Sequence, residues 1–402
     1  MTDPIERSYS FTLRGQHTVF DTAQTEAFLD QDAETILRTL QEQLCVVPFS
    51  DYLKRYVYLK AGLFGSYQQV PLKEYQTIIQ DAFQETGTPS SLRRNTTRLS
   101  GLIRNWLTQS SVRRNVVLLL GFGLSMPVED VNDFMTKALH DHRLDGDDPL
   151  EAICLYCYEH QYRFPKMEQL WRIYEQCEPG RLDVSLVRAN QPAGRVESRT
   201  VIEEDTELLR RLLNRKGLEK ETAFSEKTQF YFQRLYQQVG EYIRASERDP
   251  LIPVSWKGPV APHEIEELFC ASIPRSAHGN LVPEINSSLR DVLAGKRLSR
   301  QRLFDLLHRN AEPSRYDLIT LCFFLNSVRV DQQPDAKKRY LLFEAEISHI
   351  LDECGFGPLY LADPYECFIV MCLLSVDPLG TYGDVLELSY DGAPDPLNEK
   401  ND

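Results

Sequence analysis

The sequence predicts an all-α protein built from two related multi-helix modules that are joined by a helical connector. The apolar run from Arg114 to Ser125 has a counterpart 201 positions later, from Arg315 to Asn326, and apolar residues occupy the corresponding positions of both runs. The sequence Asp-Pro-Leu-Glu at 148–151 is matched by Asp-Pro-Tyr-Glu at 363–366, and an apolar stretch follows each. Ordered matches at a nearly constant offset indicate tandem duplication of one supersecondary unit.

The first 70 residues form an N-terminal segment ahead of the modules. β-Branched and aromatic residues between Tyr9 and Phe20 predict a short β-hairpin. From about Thr22 onward the apolar residues are spaced by three and four positions, which is typical of amphipathic helices. The segment is therefore predicted to begin as a hairpin and to continue as helices.

Module 1 spans residues 71–177, and its clearest helix start is the sequence at 148–151. Asp148 can accept hydrogen bonds from the first amides of a helix, and Pro149 has no N–H that would lack a partner there. Glu151, at the third helical position, favours the helix dipole and can reach back to the amide of the N-cap. Because residues 363–366 repeat this arrangement, a second helix is predicted to begin at Pro364.

Residues 178–262 are predicted to be a linker followed by two connector helices. Pro and Gly residues, which interrupt helices, are frequent between 179 and 200. Apolar residues recur at helical spacing in 203–216 and in 224–244. Module 2 spans residues 263–392 and carries about fifteen extra residues at 328–342, which we expect to form an exposed insertion. The polar tail at 393–402 is expected to be disordered.

Composition places the chain among folded proteins that do not cross a membrane. It has 402 residues, of which 42 % are hydrophobic and 26 % charged, and disordered chains have fewer apolar residues. The longest apolar run, at 116–124, is about half the length of a membrane-spanning helix. The first residues are acidic where a signal peptide would be basic, so a cytoplasmic location is expected. The net charge of −14 disfavours polyanions in general but leaves local basic surfaces open.

Patterns that indicate catalysis or metal binding are weak. The nine cysteines are expected to be thiols, most of them among apolar residues. The one metal-like spacing, Cys154 and Cys157 with His160, has no second cysteine pair at a zinc-finger distance. The sequence contains no P-loop, no Gly-x-Ser-x-Gly and no His-Glu-x-x-His. We therefore expect a protein that is not an enzyme and holds no metal and no cofactor.

A basic segment precedes the apolar helix of each module. Residues 91–114 contain six arginines and no acid, although the chain as a whole has 59 acidic and 45 basic residues. Residues 295–309 keep this basic character, and Arg-Leu-Ser at 98–100 aligns with Arg-Leu-Ser at 297–299. These segments are the clearest charge anomaly in the sequence.

Residues 99–107, followed by 113–135, resemble the back half of an Xre-type helix-turn-helix domain. In that family a recognition helix ending in a bulky residue precedes a helix of the form Arg, several aliphatic residues and Leu-Ser. The front half of the motif, with its small residue at the turn, has no clear match at 89–97. The modules are also similar to uncharacterised helical proteins of Firmicutes, through residues 314–325 and 359–366.

The resemblance implies that DNA or RNA is a partner and that the basic side chains contact phosphates and bases. The candidate residues are Arg93, Arg94, Arg98, Arg104, Arg113 and Arg114 in module 1, and Lys296, Arg297, Arg300, Arg302 and Arg309 in module 2. A second interpretation is that these side chains shield apolar helices and pair with acids. In that case the duplicated helices are expected to form an adaptor that holds another protein.

Overall fold

The computed structural model describes most of the chain between residues 31 and 390. The described residues are 31–42, 47–86, 89, 96–189, 199–216, 223–246, 259–270, 273, 275, 290, 292–293, 296–328, 335–361 and 363–390. The hairpin predicted near the N-terminus and the predicted disordered tail lie outside these residues. Within them the regular structure is helical and contains no β-strand, which confirms the all-α prediction.

The chain divides into two compact units. Of the described residues, those from Val47 to Glu226 form unit 1, and residues 31–42 form unit 2 together with those from Lys227 onward. Predicted module 1 lies within unit 1 and predicted module 2 within unit 2. The residues predicted as a connector belong to these units: helix 199–215 lies in unit 1, whereas helix 223–246 lies in unit 2 from Lys227 onward.

Unit 1 contains nine of the described helices, together with a short 3-10 turn at Tyr67–Gln69 and a π-helical turn at Phe134–Ala138. They are α2 (Phe49–Lys60), α3 (Leu72–Thr86), α4 (Thr96–Trp106), α5 (Arg114–Gly123), α6 (Val128–Asp133), α7 (Pro149–Glu159), α8 (Phe164–Gln176), α9 (Val184–Ala189) and α10 (Arg199–Arg215). Helix α5 contacts α3, α6 and α7, while α8 packs against α7 and α10. These helices enclose one hydrophobic core.

Unit 2 is assembled around two helices that are buried on every side. Its described helices are α1 (Ala33–Glu42), α11 (Ala223–Ser246), α12 (Pro262–Cys270), α13 (Arg300–Leu307), α14 (Arg315–Ser327), α15 (Ala336–Glu353), α16 (Pro364–Leu374) and α17 (Pro378–Leu388). All residues of α14 and α16 are buried. Helix α1 contributes Ile36 and Leu40 to this core and packs against α16 and α17. A segment from near the start of the chain therefore completes the second unit.

Both predicted Asp-Pro caps are present. The Asp148 carboxylate accepts from the Glu151 amide at 2.9 Å, and the Asp363 carboxylate accepts from the Tyr365 and Glu366 amides at 2.9 and 3.0 Å. The expectation that the glutamates return to the cap amides is not realised. Instead, the Glu151 carboxylate accepts from the Arg114 side chain and from the Asp145 amide. The Glu366 carboxylate accepts from the Tyr360 amide and forms an ion pair with Arg315.

Two glycines of α5 let neighbouring helices approach closely in unit 1. A Cβ atom placed on Gly123 would lie 2.1 Å from the Phe83 ring, and one on Gly121 would lie 2.7 Å from the Tyr158 hydroxyl. Tyr158 donates through this hydroxyl to the Leu118 carbonyl at 2.7 Å. The Gly-Phe-Gly sequence at 121–123 therefore serves close helix packing.

The insertion predicted at 328–342 is only partly exposed. Residues 329–334 lie outside the described residues, and α15 begins at Ala336. Arg339 and Tyr340 are buried, and the Arg339 guanidinium donates to the main-chain carbonyls of Leu373 and Ser375 at 2.9 and 2.7 Å. The prediction failed for this part because an amphipathic helix buries one face even when its sequence is rich in charge.

The cysteines of the described residues are buried and form no disulfide with one another. Burial raises the pKa of Cys157, which makes its thiol a packing group. No group of three or more His, Cys, Asp or Glu residues in the described part is arranged to hold a metal ion. No described helix has both the length and the apolar character needed to cross a bilayer.

Candidate nucleic-acid interface

In unit 1 the arginine-rich segment continues into α4 and the start of α5. The side chains of Arg98 and Arg104, on α4, are exposed, and Arg113, the N-cap residue of α5, is exposed as well. Helix α4 is held in place by α2 and α3, with Leu99, Ile103 and Trp106 in the core. The amphipathic pattern of α4 therefore turns apolar residues inward and leaves arginines on the surface. Arg93 and Arg94 lie outside the described residues.

Arg114 has a different environment, because its guanidinium lies inside unit 1. It donates to both carboxylate oxygens of Glu151. It also donates to the main-chain carbonyls of His142 and Arg143 at 2.5 and 2.8 Å, and it lies 3.1 Å from Asp141 Oδ2. These partners hold the guanidinium against α7.

In unit 2 two of the five predicted side chains are exposed. Arg300 lies at the first position of α13, and Arg309 follows the end of that helix with a φ of +57°. The remaining three are partly buried. Arg297 donates to the Tyr390 hydroxyl at 2.7 Å, and Arg302 Nη2 donates to Asp317 Oδ2 at 2.6 Å and to the Glu312 carbonyl at 2.9 Å.

Lys296 is the most enclosed of the predicted residues in unit 2. Its Nζ lies 4.4 Å from the centroid of the Tyr316 ring and 5.5 Å from that of Tyr365, and 3.8 Å from Asp363 Oδ2. Burial lowers the pKa of this amine, although the charges of Asp363 and Glu366 act in the opposite direction. Lys296 is thus part of the interior of unit 2.

Charge is distributed unequally between the two units. Residues 47–226 contain 24 Lys and Arg against 25 Asp and Glu, whereas the rest of the chain contains 21 against 34. Unit 1 is therefore close to neutral, and the net charge of −14 comes almost entirely from the rest of the chain. A polyanion that approaches unit 1 meets less repulsion than one that approaches unit 2.

An ion pair in the interior of unit 2 was not predicted as a site. Arg315, the first residue of α14, places Nη2 2.7 Å from Oε1 of Glu366, and 1 % of the arginine side chain and none of the glutamate side chain are exposed. Arg315 also donates to the carbonyls of Gly357 and Pro358 at 3.3 and 3.1 Å. The Tyr360 amide donates to Glu366 Oε2 at 2.6 Å. Burial raises the pKa of Glu366 to about 7, while the charge of Arg315 acts to lower it.

The Arg315–Glu366 pair and the Arg114–Glu151 pair have matching surroundings. In both units the arginine is the first residue of its helix and the glutamate is the third residue of an Asp-Pro-capped helix. In unit 1 the arginine donates to the carbonyls of residues 142 and 143, which lie nine and eight residues before Glu151. In unit 2 it donates to the carbonyls of residues 357 and 358, which lie nine and eight residues before Glu366. The amide that donates to the glutamate lies six residues earlier in both. The repeated Asp-Pro-x-Glu sequence and the aligned arginines are the signal that allows this pairing to be predicted.

Comparison with protein-family models, with curated proteins and with solved structures finds no match to this chain.

Proposed function

We propose that the protein is a non-enzymatic regulatory protein that contacts nucleic acid through the arginine-rich segment of unit 1. The observation that carries this proposal is the exposure of Arg98, Arg104 and Arg113 on a unit whose charges balance. Arginine guanidinium groups bind phosphate oxygens through two parallel hydrogen bonds. In unit 2, Lys296, Arg297 and Arg302 are partly buried, whereas Arg300 and Arg309 are exposed.

We further infer that the two units descend from one duplicated helical module. The contacts of the two Arg–Glu pairs support this inference, because they join equivalent positions in each unit. Between the arginine and the glutamate, unit 2 has 14 more residues than unit 1, and α15 lies in this interval. On this proposal only unit 1 keeps the nucleic-acid role suggested by the helix-turn-helix resemblance.

The salt dependence of binding tests the nucleic-acid proposal. Fluorescence anisotropy of a labelled DNA duplex and of a labelled RNA hairpin is measured with the full chain between low and moderate salt. If three to six phosphates are contacted, the logarithm of the affinity for the duplex falls against log salt with a slope of about −3 to −5. The double variant Arg98→Glu and Arg104→Glu is expected to abolish most of the binding.

The matched control is the double variant Arg300→Glu and Arg309→Glu, which makes the same charge change on exposed residues of unit 2. Its dissociation constant is expected to stay within about twofold of the wild-type value, because the proposal assigns no phosphate contact to these two residues. Equal losses in both double variants, or the absence of salt-dependent binding by the wild type, would contradict the proposal.

The second candidate function is that of an adaptor for another protein, and a different observation favours it. Among the described residues, most of the exposed large apolar side chains belong to unit 2: Phe230, Tyr242, Leu268, Phe304, Leu341, Leu342 and Val376, compared with Phe64 in unit 1. Exposed apolar side chains that are grouped on one surface are typical of protein-binding sites. An adaptor is expected to keep its affinity for a partner when the arginines of unit 1 are changed.

A further inference from the structure

Helix α4 carries a glycine in the middle of its exposed side. Gly101 is the sixth of the eleven residues of this helix, and glycine is less favourable than alanine in the interior of a helix. A Cβ atom added to Gly101 would meet no described side chain or neighbouring helix within 4 Å, whereas Gly121 and Gly123 of α5 lie against aromatic rings. Packing within the described part of the chain therefore does not account for a glycine at position 101.

Basic and polar residues surround Gly101 on the surface of α4. Arg98 precedes it by three positions, and Arg104 and Asn105 follow it by three and four positions. Residues at these spacings are neighbours on the surface of a helix, and all four are exposed. We name Arg98, Gly101, Arg104 and Asn105 the α4 face. One arginine thus stands on each side of a position that has no side chain.

The charges around the α4 face favour an anionic ligand. Residues 91–114 contain no acid, and α4 packs against α2 and α3. The one acid of α2, Asp51, lies 3.3 Å from Arg55 Nη2. Helix α3 carries three exposed acids, and among the described residues none of them forms an ion pair with Arg104: Glu74, Asp81 and Glu85. The guanidinium group of Arg104 is therefore available to a ligand.

The α4 face suits a phosphodiester chain better than the edges of bases. Arginine binds phosphate oxygens through two parallel hydrogen bonds, and successive phosphodiesters supply anionic groups on both sides of one contact point. Bases are read by side chains that reach their edges in a groove. Because the centre of the α4 face has no side chain, it can approach the backbone of a ligand closely but cannot reach into a groove.

We propose that the sugar–phosphate backbone of a nucleic acid lies against α4 at Gly101, with Arg98 and Arg104 binding phosphates on either side and Asn105 as a further donor. The proposal rests on the proposed nucleic-acid function of unit 1. It adds that this contact is made with the backbone and is therefore independent of base sequence.

The test compares Gly101→Ala and Gly101→Leu with the wild type in the full chain. Fluorescence anisotropy is measured with a labelled DNA duplex and with a labelled RNA hairpin. Gly101→Ala is expected to weaken binding by about three- to tenfold, because the added methyl group separates the backbone from the helix and lengthens its hydrogen bonds. Gly101→Leu is expected to weaken binding further, since its side chain is larger. A loss on one of the two ligands alone identifies that ligand as the source of the backbone.

Loss of folding is separated from loss of contact by the unfolding midpoints in urea. Alanine and leucine both favour a helix more than glycine does, so the midpoints of the two variants are expected to equal or exceed that of the wild type. Weaker binding by an equally stable or more stable protein is the signature of a blocked contact.

The matched control is Gly146→Ala. Gly146 is an exposed glycine of unit 1 that lies before α7, and a Cβ atom added to it would meet no described atom within 4 Å. This variant is expected to bind within about twofold of the wild type, because the proposal assigns no phosphate contact to that loop. Two duplexes of equal length and different base sequence are expected to show the same loss with Gly101→Ala, within about twofold.

The proposal is overturned if the wild type binds and Gly101→Leu binds equally well, or if Gly146→Ala weakens binding as much as Gly101→Ala. A loss confined to one duplex sequence also overturns it, because the contact at Gly101 is then made with bases. Failure of the nucleic-acid function itself is recognised separately, because the wild type then shows no salt-dependent binding to either ligand.

Discussion

Arg315 and Glu366 form a buried ion pair: their nearest side-chain atoms are 2.7 Å apart, and 1 % and 0 % of their side chains are exposed. The two residues lie at the first turns of α14 and α16, so the pair joins the two fully buried helices of unit 2. Removing two charges from water costs free energy that mutual attraction offsets only when the geometry is good. The stability of this unit is therefore expected to respond strongly to changes at either residue.

Replacing Arg315 with Met is expected to destabilise the protein by about 3 to 5 kcal/mol at pH 8, because it leaves a buried carboxylate without its cation. The loss should be smaller at pH 5, where Glu366 takes up a proton and the uncompensated charge disappears. Urea denaturation at the two pH values measures both quantities. An equal loss at pH 5 and pH 8 would show that Arg315 acts only through packing.

The raised pKa of Glu366 predicts a pH dependence of stability. The pKa is 4.5 in an exposed glutamate and about 7 in the folded protein, so the folded state binds the proton more tightly than the unfolded state. The contribution of Glu366 to the free energy of unfolding is fully present below pH 4.5 and is lost as the pH rises through 7. The loss amounts to at most about 3 kcal/mol, at 1.36 kcal/mol for each unit of pKa.

The variant Glu366→Gln isolates this contribution, because glutamine resembles the protonated carboxyl at every pH. We expect its free energy of unfolding to be close to that of the wild type at pH 5 and to exceed it at pH 8. Denaturant titrations of both proteins across this range provide the measurement. A difference that does not change between pH 5 and pH 8 would refute the assignment of the titration to Glu366.

The two Asp-Pro caps are expected to contribute unequally. Asp148→Ala should cost about 1 kcal/mol, as is typical for an N-cap. Asp363→Ala should cost about 2 to 3 kcal/mol, because the buried Asp363 carboxylate also accepts from the Tyr316 hydroxyl at 3.1 Å. Asp148→Ser, which keeps a capping oxygen, is the control and should remain near the wild type in thermal and urea unfolding. Equal losses at the two caps would argue against the additional role of Asp363.

Two glycines of unit 1 form a matched pair for testing helix packing. Gly123→Ala is expected to destabilise by about 1 to 3 kcal/mol, because its Cβ atom would overlap the Phe83 ring. Gly101→Ala, in the middle of α4, should stabilise by about 0.5 to 1 kcal/mol, since open space surrounds the added methyl group. The urea concentrations at the unfolding midpoints of the two variants and of the wild type provide the measurement. A stabilising Gly123→Ala would mean that α3 and α5 pack less closely than described.

The sequence predicted the helices and the caps well, because both depend on residues that are close together in the chain. Apolar spacing of three and four located α10 and α11 within a few residues, and the sequence Asp-Pro-x-Glu marked the starts of α7 and α16 correctly. The partial burial of α15 was not predicted, because Arg339 is buried against the carbonyls of Leu373 and Ser375, which follow it by more than 30 residues.

The candidate site was harder to predict than the fold, because arginine residues with similar neighbours in sequence have different environments. Arg113 and Arg114 are adjacent, but one lies at the surface and the other binds Glu151, 37 residues further on. Arg302 likewise pairs with Asp317 on the following helix. Charge runs in a sequence indicate where basic residues are concentrated, and the tertiary structure decides which of them remain available to a ligand.

Double-mutant cycles at both Arg–Glu pairs test the central claim, which is that the two units are built around equivalent ion pairs. The cycles combine Arg114→Met with Glu151→Gln and Arg315→Met with Glu366→Gln, and unfolding free energies are measured in urea at pH 8. We expect a coupling energy of about 1 kcal/mol or more within each pair, and additivity within about 0.5 kcal/mol between Arg114 and Glu366. Coupling in one pair and additivity in the other would contradict it.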